Sequence, residues 1–84
     1  MSEEKAIIVT GGTRGIGRGL ITGFHAAGYR VLACARSEPD EPLRDGDREA
    51  IFMTCDVRDP EQVDAVVDRA HTEFGRIDVL INNA

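Results

Sequence analysis

The 84-residue sequence has no tryptophan, one tyrosine (Tyr29), one lysine (Lys5), three prolines and two cysteines. Each shortage removes a class of protein. Cys34 and Cys55 have neither metal-ligand spacing nor the numbers for a disulfide framework, which excludes a small stapled scaffold. Each sits in an apolar run, where a free thiol acts as a small inert hydrophobe suited to a reducing compartment. His25 and His71 have no partner at ligand spacing and read as surface residues flanking helix stripes, so no metal is expected. No apolar run approaches the roughly 18–20 residues that cross a bilayer. The start, Met1-Ser2-Glu3-Glu4-Lys5, is polar and acidic and lacks the basic and apolar regions of a secretory leader. A cytoplasmic protein with no membrane partner is expected. Net positive charge is missing too: the formal charge of −5 argues against a nucleic-acid partner, which requires a basic field to displace counterions. Six acids in Glu38–Glu49, set against Arg44 and Arg48, read as a solvated acidic loop.

What is present is alternation. Ala6-Ile7-Ile8-Val9 is a short β-branched run closed by Thr10 and glycines, which predicts a strand buried on both faces. From Ile16 to Ala27 the period changes, with Ile16, Leu20, Phe24 and Ala27 at helical spacing and Gly28 placed to end the helix. Gly19 and Gly23, poor helix formers at i, i+4, leave two readings open: a face pressed against the sheet, or a tolerated weakness. Tyr29–Ala35 is a second strand. Ser37–Ala50, with Pro39, Pro42 and Gly46, is predicted as mostly loop, with a turn of helix around Glu41–Arg44 as the one regular element to look for. Ile51–Cys55 is a third strand. Asp59 then stands as N-cap with Pro60 at the first helical position, and Asp59 to Gln62 has capping-box spacing. The helix runs Pro60–Phe74 on a stripe of Val63, Val66, Val67, Ala70 and Phe74, and Gly75 ends it. Asp78–Asn82 is the fourth strand. Strands alternating with amphipathic helices predict an α/β fold, a doubly wound parallel sheet in β-α-β-β-α-β order.

The residues with chemistry begin at Thr10-Gly11-Gly12-Thr13-Arg14-Gly15-Ile16-Gly17, between the first strand and first helix. A tight turn at a strand's carboxyl end wants Gly11. A phosphate approaching main-chain N–H groups needs Gly15 free of a Cβ, and close packing of helix on sheet favours Gly17. The helix start aims unpaired N–H groups at the same place. The turn therefore predicts phosphate binding. Its spacing, Gly-x-x-x-Gly-x-Gly, is not that of a P-loop, and the P-loop lysine is absent, which argues against ATP or GTP hydrolysis.

Thr10–Gly17, then Cys55-Asp56-Val57, then Asp78-Val79-Leu80-Ile81-Asn82-Asn83-Ala84 together resemble the short-chain dehydrogenase/reductase family, in its order and separation, across essentially the whole chain. The resemblance implies a Rossmann-like sheet with strand order 3-2-1-4, residues 1–84 being the N-terminal part of one NAD(P)-binding domain. It implies a nicotinamide dinucleotide whose pyrophosphate lies over Gly11–Gly17, with Gly11, Thr13, Arg14, Gly15, Ile16 and Gly17 as its contacts. Asp56 would hold the adenine amino group beside the Val57 main chain, and Asn83 and Ala84 would lie by the ribose. For Asp56 and for Asn82–Asn83, a role in capping backbone groups stands beside the binding role.

The end of the second strand bears on which dinucleotide binds. A fold that selects NAD places an acid there to accept from the ribose 2′-hydroxyl; this sequence has Ala35-Arg36. A guanidinium grips a 2′-phosphate that a carboxylate repels, and Arg14 joins it from the glycine turn. NADP(H) is the expected cofactor, with NAD(H) as the other option if Arg36 is only a solvated loop residue and Glu38 replaces the acid.

The sequence departs from the family downstream. The Ser and Tyr-x-x-x-Lys set that relays the proton in the enzymes it resembles follows the Asn-Asn-Ala strand, and Tyr29 has no lysine four positions on. No catalytic residue is assigned. Two functions stay open: the cofactor half of an oxidoreductase acting on a carbonyl or alcohol, or a non-catalytic dinucleotide-binding module or inert fragment. Either way the bare Val79–Ile81 edge predicts a homo-oligomer or a longer polypeptide.

Overall fold

The computed structural model describes residues 4–11, 15–39, 41–45 and 48–82. Eight elements follow in order: β1 (Ala6–Thr10), α1 (Gly15–Ala26), β2 (Arg30–Ala35), β3 (Arg44–Asp45), β4 (Arg48–Glu49), β5 (Ile51–Thr54), α2 (Pro60–Phe74) and β6 (Val79–Asn82). The main sheet is parallel in the order β5-β2-β1-β6. Counting only its own strands, that is the expected 3-2-1-4.

β1 is buried along its whole length because it has a neighbour on each side and a helix layer on each face. Ile8 pairs with Leu32 of β2 and Leu80 of β6. Its side chains alternate as a pleated strand requires. Ile7 and Val9 enter a core with Ile21, Val31, Ala33, Leu43 and Ala50 on the α1 side. Ile8 joins Leu32, Cys34, Cys55, Val66 and Ala70 on the α2 side. Each large aliphatic side chain buried this way contributes about 1.5–3 kcal/mol relative to exposure.

α2 spans the predicted residues. Asp59 has extended dihedrals (φ −101°, ψ 108°) and accepts from the Glu61 N–H, and Gly75 closes the helix at φ 75°. α1 ends as its sequence predicts, at Gly28 with φ 91°. The Tyr29 N–H donates to Phe24 O at 2.9 Å and the Gly28 N–H to His25 O at 3.0 Å, a Schellman closure. The apolar contact that accompanies such an ending is here the Phe24–Tyr29 edge-to-face pair, centroids 4.9 Å apart.

Three expectations are corrected. The buried stripe of α1 departs from the expected line of Ile16, Leu20, Phe24 and Ala27, of which the Ile16 side chain lies outside the described residues. Leu20 and Phe24 are half-buried, Ala27 is exposed, and the fully buried positions are Gly17, Ile21 and His25. The inward line is displaced by about one residue from the expected one, with Phe24 and Tyr29 packed together at the border of the α1-side core. His25, read as a surface residue, is accordingly only 4% exposed; His71 is exposed. Gly19 and Gly23 lie on the outer side of α1, and a Cβ built on either meets nothing within 4 Å, so they are tolerated weaknesses and not a packing face.

The third correction concerns Ser37–Ala50. It contains no turn of helix at Glu41–Arg44; β3 and β4 form a small antiparallel ribbon pairing Arg44 with Glu49. Leu43 and Ala50 at its base, 4% and 7% exposed, plug the α1-side core and are joined by an Ala50 N–H to Leu43 O bond of 2.8 Å. Glu38, Glu41 and Glu49 face solvent, as an acidic loop should.

Candidate functional site

Because the main strands are parallel, all four end at one edge of the sheet: Thr10, Ala35, Thr54 and Asn82. From β1 the chain builds outward through α1 to β2 and β5. It then returns through α2 to lay β6 on the other side of β1. The crevice at the end of β1, where this direction reverses, is the place such sheets use for ligands.

At that point Gly11 adopts φ 69°, a left-handed conformation that a side chain would strain. Its N–H is not open to a ligand, since it donates to Cys34 O at 2.7 Å and continues the sheet ladder. α1 begins at Gly15, and Gly17 in its first turn is buried. Thr13 and Arg14, like Asn83 and Ala84, lie outside the described residues, as does the side chain of Ile16. The Thr10 hydroxyl donates to Asn82 Oδ1 at 2.9 Å, with Ile81 O at 3.4 Å, so the Asn82 side chain ties two strand ends together through another side chain, where the sequence reading has it capping backbone groups.

Arg36 stands one residue past β2 and is exposed. On the neighbouring strand end, Asp56 is gripped by Arg58: Nε and the main-chain N–H donate to Oδ1 at 3.1 and 2.9 Å, and Nη2 donates to Oδ2 at 2.9 Å. These bonds, with the positive field of Arg36 as a smaller contribution, hold the Asp56 carboxyl down at about 2. Val57 follows, 40% exposed. Gln62 departs from a simple capping box. Its Nε2 donates to Asp59 Oδ2 at 3.0 Å, and its Oε1 accepts from the Asp56 N–H at 2.8 Å rather than from the cap's own. The start of α2 and the Asp56 loop are thereby one hydrogen-bonded unit.

Beneath this edge a cavity of about 210 Å³ opens between α2 and the sheet, walled by Thr10, Cys34, Cys55, Val57, Val66 and Asn82 among others. Its walls are mostly apolar, which suits a flat ring better than a charged group. The two thiols meet here. Burial first, and then the adjacent Cys55, push the Cys34 thiol up to about 12 from its ordinary 9.0, so it stays protonated and inert.

The structure thus brings Gly11, Gly17, Arg36, Asp56 and Val57 to one edge of the sheet. Sequence reasoning missed Arg58, and it placed Gln62 at capping-box spacing without its bond to the Asp56 backbone. An arginine two residues after an aspartate, in a loop that precedes an N-cap, is the signal that was available.

The described groups fit a dinucleotide in kind: a left-handed glycine at the end of β1, the start of α1, a guanidinium past the end of β2, and an ionised carboxylate whose neighbours Cys55 and Val57 line an apolar slot. The chain is 40% identical over 83 residues to an L-fucose dehydrogenase of Bos taurus, covering 95% of this chain and 30% of that protein. Among solved structures, it superposes with a TM-score of 0.88 on an actinorhodin polyketide ketoreductase with NADPH, at 36% identity, over 98% of this chain and 33% of that one. An NADH-dependent reductase complexed with NAD gives a TM-score of 0.84 at 30% identity, covering 96% and 36%. The chain spans about a third of the length of the relatives it matches. A family model described as short chain dehydrogenase matches residues 5–84, and with this fold beneath it the chain belongs to that oxidoreductase family.

Proposed function

We propose that residues 1–84 form the NADP(H)-binding part of an oxidoreductase that moves hydride between the nicotinamide and a carbonyl or secondary alcohol. The observation that carries the cofactor preference is Arg36. A guanidinium, and not a carboxylate, occupies the end of β2 beside Asp56, whose charge it already influences. In this reading Gly11 turns the chain away from the crevice, and the amides at the start of α1, through Gly15, Ile16 and Gly17, bind the pyrophosphate with Thr13. Arg14 and Arg36 close on the 2′-phosphate. Asp56 accepts from the adenine amine, Val57 borders the ring, and Asn83 and Ala84 border the ribose. The bound cofactor supplies the hydride; these residues bind and orient it. One hydrogen bond to a charged group is worth about 1.5–3 kcal/mol, enough to set the choice between the two dinucleotides.

A second reading, a binding module without catalysis, draws on Tyr29. Proton relay to a carbonyl oxygen requires a tyrosine beside a cation. Tyr29, the one tyrosine of the sequence, closes the C-terminal end of α1 against Phe24, at the opposite edge of the sheet. Calorimetric titration with NADPH and NADH, repeated on Arg36→Ala, tests the cofactor assignment. A loss confined to NADPH supports it, and equal weakening of both refutes it. Because the 84-residue chain alone is expected to be inactive under either reading, carbonyl reduction by a longer polypeptide that carries residues 1–84 separates the two: activity supports the oxidoreductase, and cofactor binding without it supports the module.

A further inference from the structure

The Asp56 carboxylate is held from one side only. Oδ1 accepts both the Arg58 main-chain N–H and Nε, whereas Oδ2 accepts Nη2 alone. A carboxylate has about four acceptor positions, two on each oxygen. Oδ1 is therefore filled, and Oδ2 retains one open position. The main chain is pinned as well, through the Asp56 N–H to Gln62 Oε1 bond. Resting on the cofactor reading above, we infer that Arg58 is a positioning residue for the purine: its fork fixes the Asp56 carboxylate so that Oδ2 alone presents an acceptor to a 6-amino group, and the site disfavours a 6-oxo purine.

Arg58 is well suited to orient and poorly suited to stabilise. Its side chain is 75% exposed, and exposed ion pairs contribute little to folding. The two-point fork nevertheless leaves the carboxylate one rotational setting, which a single bond does not. The main-chain N–H to Oδ1 bond is kept by alanine or lysine at position 58, so Arg58→Ala removes the fork without dismantling the turn. Among the described residues, the charged groups acting on Asp56 are Arg58 in its own loop and Arg36 at the end of β2; Gln62 is neutral.

The test titrates oxidised NADP and its hypoxanthine counterpart, in which the 6-amino group is replaced by oxygen, against the wild-type chain, Arg58→Ala and Arg58→Lys, with circular dichroism to establish folding. Arg58→Ala is expected to weaken the adenine form by about three- to fivefold, the range of an exposed ion pair, and the hypoxanthine form by less. NMR titration should show its Asp56 carboxyl rising from about 2 toward the ordinary 3.8. Arg58→Lys, which keeps charge but not the fork, should hold the carboxyl low without restoring the base preference. Equal weakening of both dinucleotides, no change in either, or full rescue of the preference by lysine each overturns the proposal. A wild-type chain that binds neither dinucleotide overturns the cofactor reading itself and this proposal with it.

Discussion

The Thr10 hydroxyl and the Asn82 side chain, paired in register at the ends of β1 and β6, are joined by a 2.9 Å hydrogen bond at the point where the sheet changes winding direction. It is the side-chain tie between the chain's first and last strands at this edge. Thr10→Val keeps the shape and removes the donor. Chemical denaturation should show a loss of about 0.5–1.5 kcal/mol, and an unchanged midpoint would show the tie to be incidental.

The glycines of α1 should respond with opposite signs. Gly19 and Gly23 are exposed, and a Cβ on either meets nothing. Alanine at each is expected to stabilise the chain by about 0.5–1 kcal/mol. Gly28, at φ 91°, should lose stability on the same change, because left-handed backbone costs an L-residue about 1–2 kcal/mol. Urea midpoints of the three single variants decide this.

At low pH the direction follows from three carboxylates. Arg48 holds Glu4 below its ordinary 4.5, and Arg58 and Arg76 hold Asp56 and Asp78 below 3.8. The folded chain binds protons at these sites less readily than the unfolded chain. The stability they contribute is thus complete above the ordinary values and is lost as pH falls through about 4 toward 2. Denaturation midpoints should be level from pH 7 to 5 and fall steeply below 4. A midpoint that rises on acidification would contradict all three pairings.

At high pH the sign reverses for Cys34, whose folded value of about 12 lies above the ordinary 9.0. Its contribution is complete below 9 and fades between 9 and 12. Both thiols should also resist iodoacetamide at pH 8 in the native chain and react promptly in urea, as read by mass spectrometry. Rapid native labelling of either would show that the α2-side core opens easily.

Leu80 is 64% exposed on β6, the outermost strand of the sheet on that side. A bare apolar edge invites pairing with another chain. Sedimentation should detect association of the 84-residue chain, reduced by Leu80→Lys. A well-dispersed monomer at high concentration counts against the edge as a contact.

Most of the frame was legible because its signals are local. The β-branched run at Ala6–Val9, the Asp59-Pro60 start of α2 and the glycines at positions 28 and 75 each carry their meaning within a few residues. What stayed hidden depends on contacts between distant positions. The inward face of α1 escaped the hydrophobic pattern because two of its three buried residues, Gly17 and His25, are not ones that pattern counts as apolar. The β3–β4 ribbon is too short to show a period; only Leu43, an apolar residue amid acids, marks its anchor. Cys34 and Cys55 become neighbours only through the pairing of β2 with β5. In the candidate site, the placement of Gly11 and Arg36 at strand ends was legible from the strand pattern and that of Asp56 from the family resemblance, whereas the fork of Arg58 is a matter of side-chain geometry.

Gln62 joins the first turn of α2 to the Asp56 backbone through its two amide atoms. The first turn of α2 and the Asp56 loop consequently share a joint, so that under the proposed cofactor reading fraying of the helix start would also loosen base recognition. Warming the protein should blur its choice among nucleotides at temperatures where the sheet is still intact.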